Sequence, residues 1–202
     1  MYLTLGYDCS PAAAIRTLGL RPYALPFDWI VSSITSLTRC LEEDFLQFHT
    51  NLQFNHDRSR LIDAYGFEFP HDYPLEDTPE HHDRIGEGII GEGSGKRISD
   101  RWPEHYDLVM EKYRRRIDRF RLILHSTPII VLCRYPTPIA IQLRDLLLRF
   151  AITDQIRVIN SNSESFYTEW MININTERDG KWNDHEIWKE AITLDDINTF
   201  KK

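Results

Sequence analysis

Cys9 is the residue whose type and surroundings best suit chemistry. It follows the strand-like run Tyr2-Leu3-Thr4-Leu5, which stops at Gly6, and precedes the helix start Ser10-Pro11-Ala12-Ala13-Ala14. Ser10 suits the N-cap and Pro11 the first helical position, where a missing N–H does no harm. A thiol just outside a helix N-terminus faces the positive end of the dipole and unpaired N–H groups. That environment stabilises a thiolate and pulls its pKa below the ordinary value of about 8.5. The same N–H groups can hold the oxyanion of an acyl-transfer transition state. Asp8 works against this, because a neighbouring carboxylate disfavours a second negative charge. On balance Cys9 is expected to be more acidic than a free thiol; the competing reading is a small packing residue. Cys40, in an amphipathic pattern, and Cys133, inside an apolar run, are expected to be inert.

A thiol nucleophile needs a base, and the chain holds eight histidines. His71, in Phe69-Pro70-His71-Asp72-Tyr73, ends a strand-like run, where catalytic groups of α/β folds gather. Its bland alternative is an exposed loop histidine. His81 and His82 are adjacent, with no third ligand at a zinc spacing, so no metal and no cofactor are expected. Gly91-Glu92-Gly93-Ser94-Gly95-Lys96-Arg97 is not a phosphate loop: Ile90 stands where the first glycine belongs, and Arg97 where Ser or Thr belongs. Five arginines at 114, 115, 116, 119 and 121 read as a solvated helix face, or as a contact for an anionic substrate or partner.

The elements that must position these groups follow from apolar spacing. Leu37, Leu41, Phe45 and Phe48 share a helix face behind a Ser32 or Ser33 cap. Tyr106, Met110, Tyr113, Ile117, Phe120 and Leu124 mark a long helix starting near Pro103. Residues 129–133 and 156–159 are apolar throughout, as strands buried on both faces are, with a helix over 138–150 between them. Asn160 to Ser163 read as a polar exit, and 166–174 and 186–192 as further strands. Residues 75–101, rich in Gly, Glu, Asp and His, read as a long excursion or lid. The expected fold is a single α/β domain over 1–202, with a mostly parallel central sheet flanked by helices.

Composition narrows the function. Lys and Arg number 24 against 31 Asp and Glu, a net charge of −7, which argues against a nucleic-acid binder. No run approaches 18 apolar residues, so no membrane span is expected. Residues 1–9 lack the basic head and apolar run of a signal peptide. Three cysteines imply no disulfide framework, and a reducing, cytoplasmic setting is expected.

Leu5-Gly6-Tyr7-Asp8-Cys9, Leu18-Gly19-Leu20-Arg21 and Pro26-Phe27-Asp28-Trp29 together resemble a family of bacterial and viral proteins described as “putative papain-like cysteine peptidases”. His71-Asp72, the helix around Tyr113 to Phe120 and the strand ending at Arg134 extend the resemblance over roughly residues 2–160. It implies a thiol hydrolase with Cys9 as nucleophile and His71 as general base, acting on a peptide, acyl or glycan-derived substrate. Asp28 is expected to be the third member, because an Asp between Phe27 and Trp29 is half-buried and needs a partner. Asn160 fits the papain order of residues better, and Asp72 lies too close along the chain to orient His71. Trp29, Arg134 and Asn160 are expected to bind substrate. Papain's C-G-S-C-W neighbourhood is missing, and Cys9 and His71 stand only 62 residues apart. Two other readings stay open: an enzyme of surface-polysaccharide chemistry, and a non-catalytic interaction protein.

Overall fold

The computed structural model describes residues 1–77, 96–175 and 185–199. A five-stranded sheet forms its centre: β1 (Tyr2–Gly6), β7 (Ile129–Arg134), β8 (Ile156–Asn162), β10 (Met171–Asn175) and β9 (Phe166–Tyr167), in that spatial order. The first four are mutually parallel, and only β9 runs against its neighbour. Because strand side chains alternate, the sheet has two apolar faces. Leu3, Leu5, Ile129, Val131, Cys133, Ile156, Val158 and Met171 face one core. α3 (Tyr106–Leu124) and α4 (Thr137–Leu148) cover it, as do the aromatics of the 27–73 region. Ile130, Leu132, Ile159, Ile172 and Ile174 face the other, covered by α1 (Ser10–Thr17) and α5 (His185–Thr199). Burial on both sides is why residues 129–133 are apolar without a break.

The segment expected to be a strand at 186–192 is helical. Trp188, Ala191 and Ile192 stand at i, i+3 and i+4, and this spacing lays all three on the second core. The polar exit expected at Asn160 is instead the body of β8, where Asn160 and Ser161 are buried. Asn160 Oδ1 accepts from Tyr135 N (3.0 Å) and its Nδ2 donates to Tyr135 O (2.9 Å). The side-chain amide thus imitates a neighbouring strand where β7 has stopped, and Nδ2 also reaches Asn173 Oδ1 at 2.6 Å.

α2 (Ile34–Glu42) begins at a Ser33 cap whose hydroxyl accepts from Ser36 N. It ends before Phe45, because the chain turns through left-handed conformations at Asp44 (φ 45°) and Phe45 (φ 63°). Phe45 and Phe48 still reach the core, so the spacing locates the buried side chains but not the end of the helix. Three short strands, β2 (Gln53–Phe54), β3 (Leu61–Ile62) and β4 (Glu68–Phe69), pair antiparallel beside it. Of the excursion expected at 75–101, the structure describes residues 75–77 and 96–101. β5 (Leu75–Asp77) and β6 (Lys96–Ile98) form a two-stranded ribbon, and Ile98 is buried. Residues 78–95, with His81, His82 and the glycine-rich stretch, lie outside the described residues.

His49, which no sequence pattern singled out, is completely buried among rings. It stands edge-on to Phe69 at 4.3 Å and stacks with Tyr73 at 5.8 Å. Its Nε2 bonds Tyr73 Oη at 2.6 Å, and its Nδ1 has no partner. Burial pulls its pKa down to about 4, from 6.5. The unfolded chain therefore takes up a proton between pH 6.5 and 4 that the fold refuses, so stability present above 6.5 falls as pH drops through that window. Asp63, pushed up to about 6 by burial, titrates in the opposite sense over the same range. The His49 effect must therefore be measured as a difference. Urea unfolding from pH 7 to pH 4 should show the wild type losing about 3 kcal/mol more than His49→Phe.

Candidate functional site

Gly6 brings β1 close to the end of β7: a Cβ there would lie 3.3 Å from Arg134 N. The Gly6 carbonyl accepts from Ser32 N (3.1 Å) and Ser32 Oγ (3.0 Å). Tyr135 Oη donates to Ser32 O at 2.6 Å, so three stretches of chain are clamped at the carboxyl end of β1. Tyr7, Asp8 and Cys9 emerge from this clamp. Cys9 is the N-cap of α1, one residue earlier than the sequence suggests, and its carbonyl accepts from Ala13 N at 2.8 Å. It is also partly exposed, whereas Cys40 and Cys133 are completely buried.

The expectation of an acidic Cys9 is overturned. Its thiol pKa lies above the ordinary value, raised first by burial and then by Asp8. Its own backbone N–H and Arg16 pull the other way without prevailing. Hydrogen bonding explains why the helix end does not help. Asp8 Oδ1 already accepts from Ser10 N (2.9 Å), and Pro11 has no N–H to offer. A carboxylate, not a thiolate, occupies the positive end of α1. Arg134 Nη1 pairs with Asp8 Oδ2 at 2.8 Å and holds it there.

His71 follows β4 and lies at the surface, with its ring edge-on to Trp29 at 6.5 Å. Its pKa is lowered, first by partial burial, against Asp72 and with Arg60. Trp29 in turn carries the Arg16 guanidinium at 4.8 Å, and Arg16 is the cation that acts on Cys9. Arg16, Trp29 and His71 thus form a stacked series, and among the described residues no hydrogen bond joins Cys9 Sγ to an imidazole. Asp72 turns to α3: its carboxylate accepts from Tyr113 Oη (2.6 Å) and from Lys112 Nζ.

Asp28 is buried and serves another partner. Arg21 Nη2 donates to both of its oxygens at 2.9 Å, Leu25 N to Oδ2 at 2.7 Å, and Thr4 Oγ1 to Oδ1. Its oxygens hold Arg21 and β1, not an imidazole. Arg134 is committed to Asp8, and Asn160 to Tyr135 and Asn173. Of the residues expected at the substrate, Trp29 alone stands beside His71 with part of its surface open. Among the described residues no group of three His, Cys, Asp or Glu side chains could hold a metal ion, and no helix is long and apolar enough to cross a membrane.

Residues 1–163 match the sequence profile of the family described as “Putative papain-like cysteine peptidase (DUF1796)”. The chain belongs to that family. Its family segment runs from β1 past the end of β8, and so contains Cys9, Asp28, His71, Arg134 and Asn160. No curated protein and no solved structure matches the chain significantly.

Three outcomes follow from this geometry. Alkylation of Cys9 by iodoacetamide should be slower at pH 7 than that of a small free thiol and should rise about tenfold per pH unit up to pH 9. Asp8→Asn should speed it severalfold at pH 8. Asp28→Asn leaves the buried Arg21 charge without its counter-ion and should cost about 3–5 kcal/mol in urea unfolding.

Proposed function

We propose that the protein is a thiol hydrolase in which Cys9 attacks an acyl carbon and His71 takes the thiol proton. The observation that carries this is the placement of Cys9. It is the partly exposed one of three cysteines, at the junction of a parallel strand and a helix, inside the segment that defines a papain-like family. Carboxyl ends of parallel strands are where α/β proteins bind ligands.

The pKa directions set the resting state. Burial and Asp8 raise the Cys9 pKa, which favours the thiol, while partial burial lowers that of His71, which favours the neutral imidazole. The resting pair is therefore thiol and free imidazole, not a preformed thiolate–imidazolium pair. A neutral imidazole is the form able to accept a proton, so His71 acts as a general base once substrate is present. The thiolate attacks the carbonyl carbon, the tetrahedral intermediate expels its leaving group with the proton from His71, and water then releases the acyl group from Sγ. Substrates in this reading are peptide, acyl or glycan-derived carbonyl compounds, without cofactor.

Incubation with a thioester acylating probe at pH 8, followed by peptide mass mapping, tests the assignment. The acyl group should map to Cys9, with none on Cys40 or Cys133, and His71→Ala should slow acylation by 10²-fold or more. Equal labelling of wild type and His71→Ala would remove His71 as base. Absence of a Cys9 adduct under conditions that label a free thiol would remove the nucleophile.

A further inference from the structure

A cavity of about 140 Å³ opens beside α1, lined among others by Arg16, Arg21, Tyr23, Ala24, Asp28 and Trp29. Taking about 30 Å³ per water, it has room for four or five waters, the size of a carboxylate or phosphate group with a short stem. Arg21 is the unusual member. Its side chain is only 4% exposed, Nη2 serves Asp28, and both Nε and Nη1 are buried without any acceptor. Buried guanidinium donors left unpaired are costly, and the favourable remedy is an anionic acceptor. Further positive charge is at hand. Arg16 lines the cavity from α1, and Arg119 stacks on Tyr23 at 5.5 Å while donating to Ala24 O at 3.4 Å. Two guanidinium groups, of Arg16 and Arg21, therefore line a space in which Asp28 supplies the one lining carboxylate, and a third, of Arg119, stands behind Tyr23.

We propose that this cavity binds the carboxylate or phosphate group of a ligand, with Arg21 Nη1 donating to it and Arg16 supplying the second charge. Tyr23, half-buried in irregular chain and lying 5.9 Å from the Arg21 guanidinium, is the wall that gives way on entry. Two lining residues also bear on the proposed chemistry: Arg16 acts on Cys9 through its charge, and Trp29 stands edge-on to His71 at 6.5 Å. Resting on the hydrolase reading above, the cavity then selects acyl substrates that carry a negative group.

Binding is tested without catalysis. Isothermal titration of Cys9→Ala protein with inorganic phosphate, acetate and neutral acetamide separates the two anion sources from a non-ionic control. At least one anion should bind saturably with a Kd of about 1 mM, and acetamide should not. Arg16→Gln, an exposed position, should weaken binding about threefold, and Ala24→Leu, which fills the cavity without touching a charge, should abolish it. Failure of both anions to saturate, or unchanged binding in Ala24→Leu, overturns the proposal. Substrate selection is read from the ratio of Cys9 acylation rates for carboxylate-bearing and neutral thioesters. The ratio should exceed about ten and collapse in Ala24→Leu. Anion binding without any Cys9 acylation removes the hydrolase reading and leaves the site. Acylation without charge preference in the wild type removes the site's role in selection.

Discussion

Three donors converge on the carboxylate of Asp28: the Thr4 hydroxyl from β1, and the Arg21 guanidinium and Leu25 amide from its own segment. Residues 21–30 contain no regular element, yet Leu25, Phe27 and Ile30 from this segment lie in the main core. Their burial depends on a polar anchor that removes the cost of burying backbone groups between them. Trp29 follows directly, and through Trp29 come the positions of Arg16 on one side and His71 on the other. A buried ion pair of this kind contributes little net stability by itself. Its effect is to fix one arrangement of a loop that would otherwise have several.

That anchor explains why Asp28 resembles a catalytic carboxylate in sequence and behaves otherwise in space. An Asp flanked by large aromatics does need a partner, and the argument from burial holds. The partner is Arg21, seven residues earlier, not an imidazole. A similar exchange governs Cys9. Sequence places a thiol at a helix start, and the structure agrees within one residue, but the dipole is a resource for which side chains compete. Asp8 reaches Ser10 N first, and its charge, added to burial, raises the thiol pKa that the helix end was expected to lower.

The strands at 129–133 and 156–159 and the helix at 106–124 were legible because each has one dominant period and length enough to show it. β1 and α1 were legible from their terminators, with Gly19 (φ 66°) just past the end of α1. Less was legible where side chains stand in for backbone. Asn160 looks like a strand exit because asparagine is a turn residue, yet here its amide pairs with Tyr135 as a strand would. α5 was less legible: Ile187, Trp188 and Ile192 all have high β propensity, a weak preference that packing on the second core overrides. His49 carried no signal at all, since nothing in its neighbours' identity foretold a left-handed backbone (φ 59°) turning it inward.

The division of labour along the chain follows from the two cores. Every group discussed at the site lies within residues 1–163, the segment shared with the family. That segment alone would leave Ile130, Leu132 and Ile159 covered by Ala14 and Ile15 of α1 and by little else. A parallel sheet with one bare apolar face is not stable in water. β10 extends that face with Ile172 and Ile174, and α5 closes it with Trp188, Ala191 and Ile192. Burying side chains of this size contributes about 1.5–3 kcal/mol each. The stretch beyond 163 thus stabilises the face on which α1 rests, and α1 is the element that presents Cys9. Its effect on any chemistry runs through the rigidity of that helix start, not through a side chain at the site.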